Sequence, residues 1–116
     1  MGLSEFEAAR VNKVVGGFVE GRRPPAHIRP KLDIGFRLRG QSVELFEIRP
    51  VWRGASGEKR EHAFAKATYV RTRRRWRVFW LRRDLKWHSY EPSPEVATIE
   101  EFVALVQEDA YACFFG

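Results

Sequence analysis

A single cysteine, Cys113, is the only thiol among the 116 residues, which excludes a disulfide within the chain and any zinc site built on several cysteines. No apolar run approaches the ~20 residues of a membrane-spanning helix. The amino terminus carries Glu5 and Glu7 and lacks the basic-then-apolar layout of a signal peptide. Together these absences point to a reducing cytoplasm. No internal repeat and no low-complexity linker interrupts the chain, so a single domain spanning 1–116 is expected, large enough for one core and too small for two. Nothing forms a complete catalytic, metal or nucleotide-binding motif, so neither a cofactor nor a metal is expected. What remains to reason from is architecture and charge.

Basic residues are missing from one whole region. Residues 91–116 hold six acids and no base, whereas residues 1–90 hold all 21 Lys and Arg against nine acids, leaving +12 opposite −6. Opposed charge within a small domain attracts, so part of the net +6 is spent internally. Sixteen of the bases are Arg and five are Lys, a ratio suited to planar, bidentate contacts with carboxylate or phosphate.

The stretch 65–90, AKATYVRTRRRWRVFWLRRDLKWHSY, concentrates the aromatic residues and much of the charge. Its segments 65–71 and 76–82 are rich in β-branched and aromatic residues around the polar tetrad 72–75, which predicts a hairpin. With Arg71 opposite Trp76, Tyr69 opposite Val78 and Ala67 opposite Trp80, one sheet face collects the core residues Ala67, Tyr69, Trp76, Val78 and Trp80. The other face begins wet at the turn and becomes apolar, so the run 78–81 is expected to be covered on both sides. A second turn at 82–85 leads to an alternating segment, 86–90, that ends where Pro92 and Pro94 break the pattern.

Toward the amino terminus, Ser4 with Glu7 makes a capping box, and Val11, Val14, Val15 and Phe18 follow at helical spacing. Gly16 and Gly17 weaken this helix by about 1 kcal/mol each relative to Ala, so it should end near Gly21. Leu32, Ile34, Phe36 and Leu38 alternate with polar residues as a strand, and Gly40-Gln41 fits a two-residue hairpin turn. That turn puts Leu38 opposite Val43, Phe36 opposite Leu45, and Glu47 opposite Ile34 on the apolar side. Either a bulge near Leu45 swaps the faces or Glu47 is a partly buried carboxylate, paired with Arg49 or acting as a functional acid. Thr98 with Glu101 opens a second helix, 99–108, striped by Ile99, Phe102, Val103 and Val106. The apolar tail 110–116 should dock on the sheet, with Cys113 a buried, unreactive thiol. The expected class is α+β: an antiparallel meander of four to five strands, with an N-terminal and a C-terminal helix packed on one face.

Four strings, Ile48-Arg49-Pro50, Ala65-Lys66-Ala67-Thr68-Tyr69, Asp84-Leu85-Lys86-Trp87-His88-Ser89-Tyr90-Glu91-Pro92 and Ala112-Cys113-Phe114-Phe115-Gly116, resemble a bacterial family known only as domain of unknown function 3024. The resemblance runs from about Pro25 onward. It implies no activity, cofactor or catalytic residue.

Three functions are compatible with these residues. Arg71, Arg73, Arg74, Arg75, Arg77, Arg82 and Arg83, with Arg22 and Arg23 as additions, suit the phosphates of nucleic acid, and interleaved aromatics can stack bases where exposed. Against this stands a solvated basic turn neutralised by the acidic segment. A hydrolase would draw on Asp84 and Lys86, near His88 and Glu91, with Glu47 or Glu44 from another strand, to hold a metal and activate water. His88 alone, however, is the usual signature of a hydrogen-bonded structural residue. Trp87 and Tyr90 read as packing residues. The third function is binding to another protein through a strand edge or the basic surface.

Overall fold

A computed structural model describes residues 2–51, 58–109 and 114. Cys113 and the rest of the apolar tail, Phe114 excepted, lie outside the described residues, as does most of the glycine-containing loop after Pro50.

Helix α1 spans Glu5–Arg22. It starts at Ser4 because the serine hydroxyl accepts from the Glu7 N–H while the Glu7 carboxylate accepts from the Ser4 N–H. Val11, Val15 and Val19 recur four apart and form its buried stripe. The pair Gly16-Gly17 does not break it. Gly16 lies against the Phe36 ring, where a Cβ would meet carbons at 3.7 Å, ordinary van der Waals contact.

Strands β1 (Asp33–Arg39), β2 (Ser42–Pro50), β3 (Lys59–Val70), β4 (Arg75–Leu81) and β5 (Trp87–Ser89) form an antiparallel meander in sequence order, and β6 (Glu95–Val96) adds to β4. Helix α2, Ile99–Glu108, closes the fold. Its Thr98 hydroxyl accepts from the Glu101 N–H, whereas the Glu101 carboxylate accepts from Ala97, one residue before the cap.

Ile34, Val43, Leu45, Ala65, Ala67, Trp76 and Val78 share one sheet face with Val11, Val15 and Val19 of α1 and Ile99, Phe102 and Val106 of α2. Both helices lie on that face. Phe114 joins this core, its ring centroid 4.8 Å from that of Tyr90.

The β1–β2 hairpin has the expected register, with Gly40 at φ +60° in a two-residue turn. A bulge also sits beside Leu45, in the partner strand. Leu45 pairs with Ala65 and Phe46 with Ala63, so Phe64 is the extra residue, and both it and Ala65 turn into the core. Because β3 absorbs the irregularity, Glu47 stays opposite Ile34 on the helix side.

The β3–β4 register differs from expectation by two. Tyr69 faces Trp76, Ala67 faces Val78 and Ala65 faces Trp80, with residues 71–74 in the turn. Arg74 takes a left-handed conformation, φ +50°, which closes the four-residue loop one position earlier. A shift of two preserves the faces, so Ala67, Trp76 and Val78 are buried as expected, while Tyr69 and Trp80 are half-buried at the edge of the core. The expectation that 78–81 is covered on both sides fails. With both helices on one face, Phe79 and Leu81 are left half-buried on the other.

Two further elements were not expected: the first half of β3, whose Lys59, Arg60, Glu61 and His62 are all exposed, and the two-residue β6, which forms directly after Pro94.

Candidate nucleic-acid interface

Strand β4 carries the basic residues, one group at each end and one arginine between. Its seven residues span roughly 20 Å at 3.3 Å per residue, which separates the turn 71–74 and Arg75 from Arg82 and Arg83. The seven arginines therefore form a line rather than a cluster, and their partners divide them.

Arg71 is committed to the fold. Its guanidinium donates to both Glu7 carboxylate oxygens, at 3.1 and 3.3 Å, and to the Gly2 carbonyl at 3.3 Å. Glu7 is held below the usual carboxylate range, by the Ser4 N–H first and by Arg71 next. Arg73 Nη2 donates to Glu95 Oε1 at 2.8 Å, and Arg75 Nε lies 3.7 Å from the same oxygen. Neutralisation of the turn by the acidic segment is thus real but partial and, among the described residues, passes through Glu95. Among the described residues, Arg74, Arg77, Arg82 and Arg83 have no carboxylate partner. Arg77 lies over the Phe79 ring at 5.1 Å and Arg82 over Trp80 at 5.4 Å. Such stacking fixes the guanidinium plane and leaves its N–H edge available.

Arg82, stacked on Trp80, belongs to the helix face, whereas Arg77 lies on the sheet face away from the helices. Pairing places Arg37, Glu44, Phe46, Lys66, Thr68, Arg77, Phe79 and Trp87 on that side. Lys66 stands between Phe79 and Trp87, its ammonium 5.0 and 4.8 Å from the two ring centroids. Burial holds its pKa below the ordinary lysine value, and Glu44 across the strand pulls the other way. Arg37 covers Phe46 at 4.6 Å and pairs with Glu61. Sequence reasoning included neither Lys66 nor Arg37 among the binding residues, and the Lys66–Phe79 pairing follows only from the observed register.

The hydrolase candidates separate into two places. Asp84 Oδ2 lies 2.8 Å from His88 Nε2, and its Oδ1 accepts from the Lys86 N–H at 2.9 Å. These bonds fasten the β4–β5 turn, in which Leu85 has φ +62°, and they hold Asp84 below the usual carboxylate range, with His88 the larger cause. Glu47 bonds to Arg49 at 3.2 Å and lines a shallow concavity with Arg22, Pro24, Leu32, Asp33 and Ile34. A different concavity is lined by Asp84 with Trp80, Arg82 and Arg83. No group of three or more His, Cys, Asp or Glu suited to a metal ion occurs among the described residues. Arg23, once an addition to the basic surface, is bidentate on Asp33, at 2.9 and 3.0 Å.

Fold and site together define an α+β module: a six-stranded antiparallel sheet backed on one face by two helices, its other face and the ends of β4 carrying cations and aromatics. The family described as domain of unknown function (DUF3024) matches residues 3–116, and the chain belongs to it. Neither a curated protein nor a solved structure matches the chain. No helix among the described residues is long and apolar enough to cross a membrane.

Proposed function

We propose that this chain binds nucleic acid by its phosphates, with little sequence preference, through the arginines of β4 and its flanking turns. The observation that carries the reading is that Arg74, Arg77, Arg82 and Arg83, in β4 and its flanking turns, form no ion pair among the described residues. The roughly 20 Å length of β4 corresponds to about six nucleotide rises along one strand of a duplex. Arginines in turns reach phosphates rather than base edges, and phosphate contacts position without specifying. The single cysteine suits a reducing compartment, so the cytoplasm is the setting proposed.

Replacing Arg74, Arg77, Arg82 and Arg83 with Ser tests the reading by fluorescence anisotropy on labelled single strands and duplexes. At 50 mM salt binding should be largely lost, and the slope of log K against log salt should flatten by about 3.6, as the loss of four phosphate contacts requires. An Arg49→Ser control should bind as the parent does, because Arg49 pairs with Arg60 in the part of β3 that does not reach β4. Equal losses in both proteins would defeat the assignment.

A second reading, assembly with another protein, is favoured by β1, which ends the sheet and has a strand partner on one side only among the described residues. Sedimentation of the purified protein, and identification of whatever copurifies with it, distinguishes the two.

A further inference from the structure

Beside the β3–β4 turn, Val70, Arg73, Arg77, Ser89, Pro94 and Glu95 line a concavity of about 640 Å³. A carboxylate sits within it. Strand β6 places Glu95 opposite Arg77, and its side chain is 17% exposed. Arg73 donates to Glu95 Oε1 at 2.8 Å, and Arg75 Nε stands 3.7 Å from the same oxygen. Three arginines thus border one carboxylate. Arg77 makes no ion pair with it and is held over Phe79.

The backbone under Glu95 is fixed from both sides. The Val78 N–H donates to the Pro94 carbonyl at 2.9 Å, and the Tyr90 N–H donates to the Val78 carbonyl at 2.9 Å. Val96, paired with Trp76, is buried. The Glu95 backbone is therefore held in place, while its carboxylate rests on Arg73. Carboxylate and phosphate oxygens accept the same guanidinium N–H groups, and Arg binds either in bidentate fashion.

We infer that this concavity is a phosphate seat in which Glu95 is the resident anion, displaced from Arg73 and Arg75 when a backbone phosphodiester of nucleic acid docks on Arg73 and Arg77. The inference rests on the nucleic-acid reading. Glu95 keeps the arginines extended and ordered in the free protein, and for the same reason it competes with the ligand and lowers affinity. The Ser89 hydroxyl, on the rim, is a further donor for a phosphate oxygen.

The test compares Glu95→Gln with Glu91→Gln, an exposed acid on the same segment, using a labelled single-stranded oligonucleotide. Glu95→Gln should tighten binding at 50 mM salt by roughly threefold or more. The plot of log K against log salt should also steepen, by up to about one, since in the parent the carboxylate freed by docking takes up a cation and offsets part of the counterion release. Glu91→Gln should do neither. Equal tightening by both variants would reduce the effect to net charge and overturn the seat. A parent protein that binds while Glu95→Gln binds no better also overturns it, leaving the phosphate reading in place; absence of binding by all three proteins removes both. Should Glu95→Gln not fold, the parent is titrated with inorganic phosphate and followed by NMR of arginine Nε–H groups. Shifts confined to Arg73, Arg75 and Arg77 support the seat, and equal shifts at Arg10 and Arg49 contradict it.

Discussion

Gly35→Ala should destabilise this protein, against the usual direction for a glycine within a strand. Gly35 faces Phe46 across the β1–β2 pair, and a Cβ built there falls 2.9 Å from Phe46 Cε2 and 3.1 Å from Cζ. The ring cannot easily give way. It is 7% exposed, the Arg37 guanidinium covers it at 4.6 Å, and Arg37 is anchored by Glu61. Two effects compete. Alanine restricts the unfolded chain and stabilises by about 0.5–1 kcal/mol where the native backbone accepts it, while overpacking costs about 1–3 kcal/mol. The contact distances put the clash ahead, so a net loss of about 1 kcal/mol is expected. Urea denaturation with an unchanged m-value measures it. The double variant Gly35→Ala with Phe46→Leu should cost less than the two single losses combined, by about 0.5 kcal/mol or more, because the smaller side chain gives the methyl room. Stability equal to or above the parent in Gly35→Ala would refute the description of this face.

Other expectations test the core, the charge pairs and the turn. Trp76→Ala should cost about 3–5 kcal/mol, and Trp80→Ala clearly less, since Trp76 is buried and Trp80 half-exposed; equal losses in thermal melts would contradict the register. Asp33 is held below the ordinary carboxylate pKa by Arg23 first and by the Ile34 N–H as well. Its contribution to stability is therefore complete above the unfolded-state pKa and lost as pH falls through the lower folded value. Asp33→Asn should flatten the acid limb of a urea stability profile, and an unchanged limb would argue against the pair. Arg74→Gly should stabilise by about 0.5–1 kcal/mol by relieving the left-handed backbone, and a loss of melting temperature would show that Arg74 makes contacts of its own.

Local signals in the sequence reached far into the fold. Ser4 with Glu7 and Thr98 with Glu101 located both helix starts, because capping chemistry is confined to four residues. The strict alternation from Leu32 and the Gly40 turn fixed the first hairpin with its register. The second hairpin was less legible. Any of several tetrads could form its turn, and what decides among them is the left-handed Arg74, a conformation that arginine does not announce. Lys59, Arg60, Glu61 and His62 gave no strand signal, since their pairing with β2 comes from the partner and not from apolar periodicity. At the site, the density of arginine was visible, but its partners were not. Glu7, 64 residues from Arg71, and Glu95, 22 residues from Arg73, are brought in by tertiary structure. Those two acids decide which arginines of the turn are left without an ion pair among the described residues.

The salt dependence of nucleic-acid binding tests the central claim most directly. With the parent protein and a labelled oligonucleotide, log K plotted against log salt should be linear with a slope of about −3.6 on duplex, as four phosphate contacts require, and should change little with base sequence. Binding that is flat in salt, or not detectable at 50 mM salt on either single strands or duplexes, would contradict the claim and leave assembly through the β1 edge as the reading to pursue.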